Sequence, residues 1–171
     1  YEFTIEVNPN QWTPEIVNSM RDSGVNRFSV GIQSLDKNSF HFLDRRHSIE
    51  DSYKTLEYFK NIGVNYSADF LIGIPASEGR RDIVKELEKV LEFSPSHLSI
   101  YILTVKDKYK HKGLLPSDDW VEKEFLSVSD FLKEKGFSHY EISNYALDNK
   151  ESKHNLKYWK DAPVLALGPT A

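Results

Sequence analysis

The stretch SADFLIGIP, residues 67–75, sets one acid, Asp69, in an otherwise apolar run that closes on Gly73-Ile74-Pro75. Glycine and proline interrupt a strand, so this run delivers a carboxylate and bare backbone to a strand end. Three other strand-like segments place one polar residue comparably: Glu6 in FTIEVNP, Gln33 in FSVGIQS and Thr104 in LSIYILT. Carboxylates and an amide gathered at strand ends can grip the hydroxyls and amines of a small polar ligand, as the rim of a (β/α) barrel does. These residues predict one shared pocket.

Each candidate has a plainer competitor. Burying an unpaired carboxylate is costly, so Asp69 needs a partner, either Arg27 on the neighbouring strand or a ligand hydroxyl or amine. Glu6, followed by the turn-forcing Asn8-Pro9, could instead cap the helix that starts near Thr13. Gln33, between Gly31 and Ser34, could be an ordinary turn residue. Arg45 in LDRRHS offers a planar fork to a carboxylate, while Arg46 beside it makes a solvated basic pair an equal reading. HNLKYW packs His154, Asn155, Tyr158 and Trp159 into one short run. It could hold a flat hydrophobic ligand or ligate a heme iron axially, or it could be an aromatic anchor closing the end of a barrel. His47 is the other histidine worth weighing, and a lone histidine is usually structural. The lysine-rich KDKYKHKGLL reads as a solvated connection or as a contact for an acidic ligand or partner.

Around these residues the periodicity supplies a frame. Strand-like runs at Phe3 to Val7, Arg27 to Gln33, Tyr66 to Ile72 and Leu98 to Leu103 alternate with helical stretches at roughly 30 to 40 residues per unit, as βα repeats require. The strands read as near-continuous apolar runs, so the sheet should be largely parallel and covered by helices. Thr13-Pro14 opens a helix that Gly24 closes, and Ser48 with Asp51 opens a second that ends at Gly63. Ile83, Leu87, Val90 and Leu91 mark a third, and Val121, Phe125, Val128 and Leu132 mark a fourth that ends at Gly136. Beyond it, FSHYEISNYA reads as a short strand and turn.

Composition narrows the function classes. The chain has 171 residues, 39% of them hydrophobic, enough for one domain with a real core. Its 26 acids exceed 22 bases without a basic block, which argues against a nucleic-acid surface. No run approaches a membrane span and no signal peptide opens the chain, so the expected compartment is the cytoplasm. The absence of cysteine excludes thiolate-held zinc or iron–sulfur groups within these residues, and no other metal site is expected. GxxxxGK[ST], GxGxxG after the first strand, HExxH and GxSxG are all missing. An opening in mid-strand without Met, and an end on LGPTA, lead us to expect a chain cut at both ends.

Seven motifs in one order, EFTIEVNP, GVNRFSVGIQSLD, LDRRHS, ADFLIGIP, HLSIYILT, HYEISNYA and HNLKYW, make the chain resemble the radical SAM family of oxygen-independent coproporphyrinogen III oxidase and its heme-chaperone relatives. The resemblance covers essentially the whole chain. It implies an α/β fold: a partial radical SAM barrel of the TIM type, with βα repeats over about 1–136 and a family-specific extension over about 137–171. It implies that Glu6, Gln33, Arg45 and Asp69 line a site for S-adenosylmethionine, with Leu71 and Thr104 adding backbone contacts and Asp69 taking the ribose. Family members hold a [4Fe–4S] cluster on a CxxxCxxC loop that this chain lacks, so only the full-length protein would carry the cluster and no catalytic residue is assigned here. The oxidase branch decarboxylates porphyrinogen propionates, whereas the chaperone branch binds heme and passes it to other proteins. HNLKYW, LDRRHS and the Asn-Pro after Glu6 look more like the chaperone branch, with His154, Asn155 and Tyr158 as the heme contacts. The resemblance implies that this chain by itself is inactive.

Overall fold

The structure, a computed structural model, describes residues 1–165; the C-terminal LGPTA lies outside the described residues. Six strands, β1 (Thr4–Val7), β2 (Arg27–Gln33), β3 (Tyr66–Ile72), β4 (His97–Ile102), β5 (Ser138–His139) and β6 (Asn144–Ala146), form one sheet in the order β1-β2-β3-β4-β6-β5. The first four run parallel, and β6 and β5 pair antiparallel beyond β4. Among the described residues the sheet is open, a mostly parallel α/β sheet with β1 and β5 at its edges. Its helices are α1 (Pro14–Asp22), α2 (Lys37–His41), α3 (Ile49–Asn61), α4 (Ile83–Leu91), α5 (Asp118–Glu134) and α6 (Lys153–Trp159). No helix among the described residues is long and apolar enough to cross a membrane.

The expected punctuation is present. Thr13 Oγ1 accepts from the Ile16 amide ahead of Pro14, and Gly24 takes φ +97° as its amide returns to the Arg21 carbonyl. Ser48 and Asp51 form the reciprocal capping box of α3, at 3.0 and 2.9 Å. The lysine-rich loop is less free than its composition suggests, because the Tyr109 hydroxyl donates to the Phe42 carbonyl at 2.8 Å.

One expectation needs correction. The strands are not apolar throughout but alternate, since successive side chains leave opposite faces of a sheet. Phe28, Val30, Ala68, Phe70, Ile72, Leu98 and Ile100 are buried in the main core with Val17, Leu56, Phe59, Leu87, Val90 and Leu132 of the helices. The opposite face carries Thr4, Glu6, Arg27, Ser29, Ser67, Asp69, His97, Ser99 and Tyr101. Register aligns Glu6 with Ser29, Ser29 with Ser67, Ser67 with His97, and Asp69 with Ser99. The parallel sheet is therefore apolar toward the helices and polar on its other face.

At the end of β3 the chain turns through Gly73, with φ +70°. A β-carbon there would also sit 3.3 Å from Val121 Cγ2 on α5. Gly73→Ala should destabilise the protein by about 1–2 kcal/mol, the cost of forcing a side chain into the left-handed region. A lowered denaturant midpoint checks this; an unchanged midpoint would show that the turn relaxes freely.

Candidate functional site

Glu6, Gln33, Arg45 and Asp69 converge on one cavity of about 420 Å³, whose wall also includes Asn8, Ser29, Gly31 and Tyr101. β1 and β2 bring Glu6 and Gln33 to their C-terminal ends, Asp69 stands in the middle of β3 rather than at its end as expected, and the turn after α2 brings Arg45. Gln33 occupies an unusual backbone position, φ +70°, beyond a register shift between Val30 and Gln33. Its side chain folds back so closely that a β-carbon on Gly31 would stand 2.8 Å from Gln33 Nε2. With glycine at 31 the amide can lie this close to the strand; a β-carbon there would make its flexible end shift.

Asp69 is partly satisfied. Its Oδ2 accepts from Ser29 Oγ at 2.6 Å, and Ser29 Oγ also lies 2.9 Å from Ser67 Oγ. Oδ1 is buried and has no partner. Burial pushes the carboxyl above its ordinary range, and the hydrogen bond from Ser29 pulls part of the way back. Arg27, the partner offered by the neighbouring strand, makes no ion pair with it among the described residues. The cap alternative for Glu6 also fails, because Thr13 caps α1 and Glu6 points to the cavity. Burial raises the Tyr101 phenol too, so it stays protonated beside these acids.

A second cavity, about 390 Å³, shares Glu6, Ser29 and Tyr101 with the first and adds Glu2, Thr4, Arg27, Ser99, Ser152, His154 and Asn155. His154 and Asn155 reach it from the first turns of α6. That helix is held by its Ser152 cap and by Glu2, whose two oxygens accept the amides of Lys153 and His154 at 3.0 and 3.1 Å. Tyr158 meets the His154 ring edge-on at 5.2 Å, but it is 60% exposed and outside the cavity wall.

The remaining candidates sit apart. Thr104 is exposed beyond β4 and lines neither cavity, and the Leu71 carbonyl accepts from Arg81 Nη1. His47 is buried edge-on against Phe40, its pKa lowered by burial and by the Arg45 charge. A larger cavity, about 670 Å³, lies at the N-terminal ends of β2 and β3 between Asn18, Arg21, Asn26 and Asn65. None of its wall residues has a buried polar atom left unpaired, whereas Asp69 in the first cavity and Thr4 and Arg27 in the second each have one, so the smaller pair is the better candidate. Ser29, Ser99 and Tyr101 escaped the reading by strand ends; their signal was the period-2 polar alternation.

The Radical SAM superfamily is matched over residues 1–87. The heme chaperone HemW of Lactococcus lactis subsp. lactis (strain IL1403) is 32% identical over 179 residues, covering 99% of this chain and 47% of the relative. HemW of Buchnera aphidicola subsp. Schizaphis graminum (strain Sg) is 31% identical over 173 residues, covering 99% of this chain and 46% of the relative. The chain thus spans about half the length of these relatives. Among solved structures, coproporphyrinogen III oxidase (HemN) from Escherichia coli superposes with a TM-score of 0.76 at 20% identity, over 93% of this chain and 38% of its own.

Proposed function

This chain belongs to the radical SAM superfamily, which half of it matches, and from that premise we propose that it is part of a heme chaperone that binds S-adenosylmethionine and heme and passes heme to acceptor proteins. The observation that carries the reading is the pair of cavities with a common wall, one holding the four cofactor candidates and the other His154 and Asn155. The relatives named heme chaperones align over 99% of the chain, which favours heme over a decarboxylated porphyrinogen.

The first cavity fits S-adenosylmethionine chemically. Asp69 Oδ1 lacks a donor that a ribose hydroxyl would supply. Arg45 makes no ion pair among the described residues and suits the cofactor's carboxylate, and Glu6 suits its amine. Gln33 adds an amide. Leu71 and Thr104 are proposed as backbone contacts, Leu71 through the second lone pair of a carbonyl that already serves Arg81. In this superfamily the cofactor, cleaved reductively at a [4Fe–4S] cluster, supplies radical chemistry. The residues of this chain do not fit that cluster: there is no cysteine, and among the described residues no group of three or more His, Asp or Glu side chains could hold a metal ion. The cluster's ligands would come from outside these residues.

Heme enters as cargo at the second cavity. His154, exposed at the start of α6, offers an imidazole to an axial position; Asn155 and the edge of Tyr158 flank it. Titrating hemin into the intact protein should give a Soret band that His154→Ala removes, with no decarboxylated product from coproporphyrinogen III by mass spectrometry. Product formation would overturn the chaperone reading in favour of an oxidase.

A further inference from the structure

The inner face of the sheet leaves two polar groups unmatched at the floor of the second cavity. Arg27 is only 4% exposed, yet it lines that cavity. Its Nε–H is buried with no acceptor, and it has no ion pair among the described residues. Thr4, directly opposite Arg27 in the β1–β2 register, lines the same cavity, and its hydroxyl is likewise buried and unpartnered.

The acids nearby do not meet this need. Glu2 spends both carboxylate oxygens on the amides that open α6. Glu6 is exposed and belongs to the wall shared with the first cavity. Asp69 gives one oxygen to Ser29 and leaves the other unpartnered; the Arg27 charge acts on it, but among the described residues the two form no ion pair. A guanidinium taken out of water without a counter-charge is expensive, so a cavity built over one is set up to receive an anion. Arg27 presents a planar fork, and Thr4 adds a hydroxyl beside it; that geometry matches a carboxylate, which takes two parallel N–H bonds and a third donor.

We propose that Arg27 and Thr4 form a carboxylate subsite in the second cavity, which takes a propionate of the heme cargo while His154 approaches its iron. The inference rests on the heme reading above and deepens it. The cargo is held at two points of different chemistry, an acidic side arm at the sheet and a metal at α6. Recognition of the side arm explains why a polar strand face should adjoin an aromatic helix. It also gives the site a means to distinguish a porphyrin with free carboxylates from an apolar one.

The test compares hemin with its dimethyl ester, in which both propionates are blocked, on the intact wild-type protein and on Arg27→Met and Arg27→Lys, following the Soret change. Wild-type protein should bind hemin about ten- to hundredfold more tightly than the ester, the loss expected when a charged hydrogen-bonded partner is removed. Arg27→Met should bring hemin down to the affinity of the ester, and Arg27→Lys should restore part of the difference. Equal wild-type affinities for hemin and ester overturn the subsite while leaving the heme reading in place, and this comparison needs no variant to fold. Arg27→Met binding hemin as wild type does would have the same consequence. No Soret change with either ligand on wild-type protein removes the heme reading and the subsite together.

Discussion

Asp69→Asn in the intact protein is expected to weaken S-adenosylmethionine binding by about ten- to hundredfold, the consequence of losing a charge-assisted hydrogen bond of about 1.5–3 kcal/mol. The substitution keeps the shape and one oxygen to accept from Ser29 Oγ, now at 2.6 Å, but removes the negative charge that a ribose hydroxyl would meet. Stability should move the other way. The folded carboxyl titrates above its ordinary range because burial disfavours its charged form. Between the unfolded and folded pKa values the native state therefore binds more protons, and wild-type stability falls as pH rises through that window. Asn carries no such penalty, so the variant should be as stable as wild type or more so at neutral pH, with the difference vanishing below the ordinary carboxyl value of 3.8. Calorimetric titration with the cofactor and denaturant unfolding at pH 4 and 7 measure both halves. Unchanged cofactor affinity would remove Asp69 from the site.

Much of this was legible because the deciding forces are local. Thr13, Ser48 with Asp51, and Gly24 announce helix ends through bonds spanning three or four residues, and the structure places all of them there. The cofactor candidates were readable because an acid or amide in an apolar run is anomalous wherever the run goes. Ser29 and Ser99 were not, because serine in a strand attracts no notice until its register with Asp69 is known. Sequence offers Arg27 as one of two alternative partners for Asp69; only the three-dimensional arrangement shows that it makes no ion pair among the described residues and lines a different cavity.

The same contrast appears beneath the rim. Arg81 lies between the charged residues Arg80 and Asp82, yet it is 5% exposed. Its two partners did leave a trace. Glu86 falls on the apolar stripe of Ile83, Leu87 and Val90, and Glu124 on that of Val121, Phe125 and Val128. An acid within an apolar helix face requires a buried partner, and one arginine serves both.

Arg81→Met should therefore be among the most damaging single changes in the chain, costing about 3–5 kcal/mol, because it strands two buried carboxylates. Arg81 Nε lies 2.6 Å from Glu86 Oε1, and Nη1 lies 4.0 Å from Glu124 Oε1 while donating to the Leu71 carbonyl. Glu86 Oε2 accepts from Ser34 Oγ at 2.9 Å and from the amides of Leu35 and Asp36, and Glu124 Oε2 from the Gly73 amide at 2.9 Å. The guanidinium thus ties the segment after Gln33 to the end of β3, two residues beyond Asp69. Burial already raises Glu124 above its ordinary value, and removing Arg81 removes an opposing effect. The native state of the variant should take up protons as pH falls toward the ordinary glutamate value of 4.5, so the loss should be largest at neutral pH and shrink on acidification. Urea unfolding at pH 5 and 7 reads this. Arg81→Met/Glu86→Gln should cost less than the sum of its single changes, since the second relieves a charge that the first left unpaired. A loss under about 1 kcal/mol at neutral pH, or strict additivity, would show that solvent rather than Arg81 balances these carboxylates.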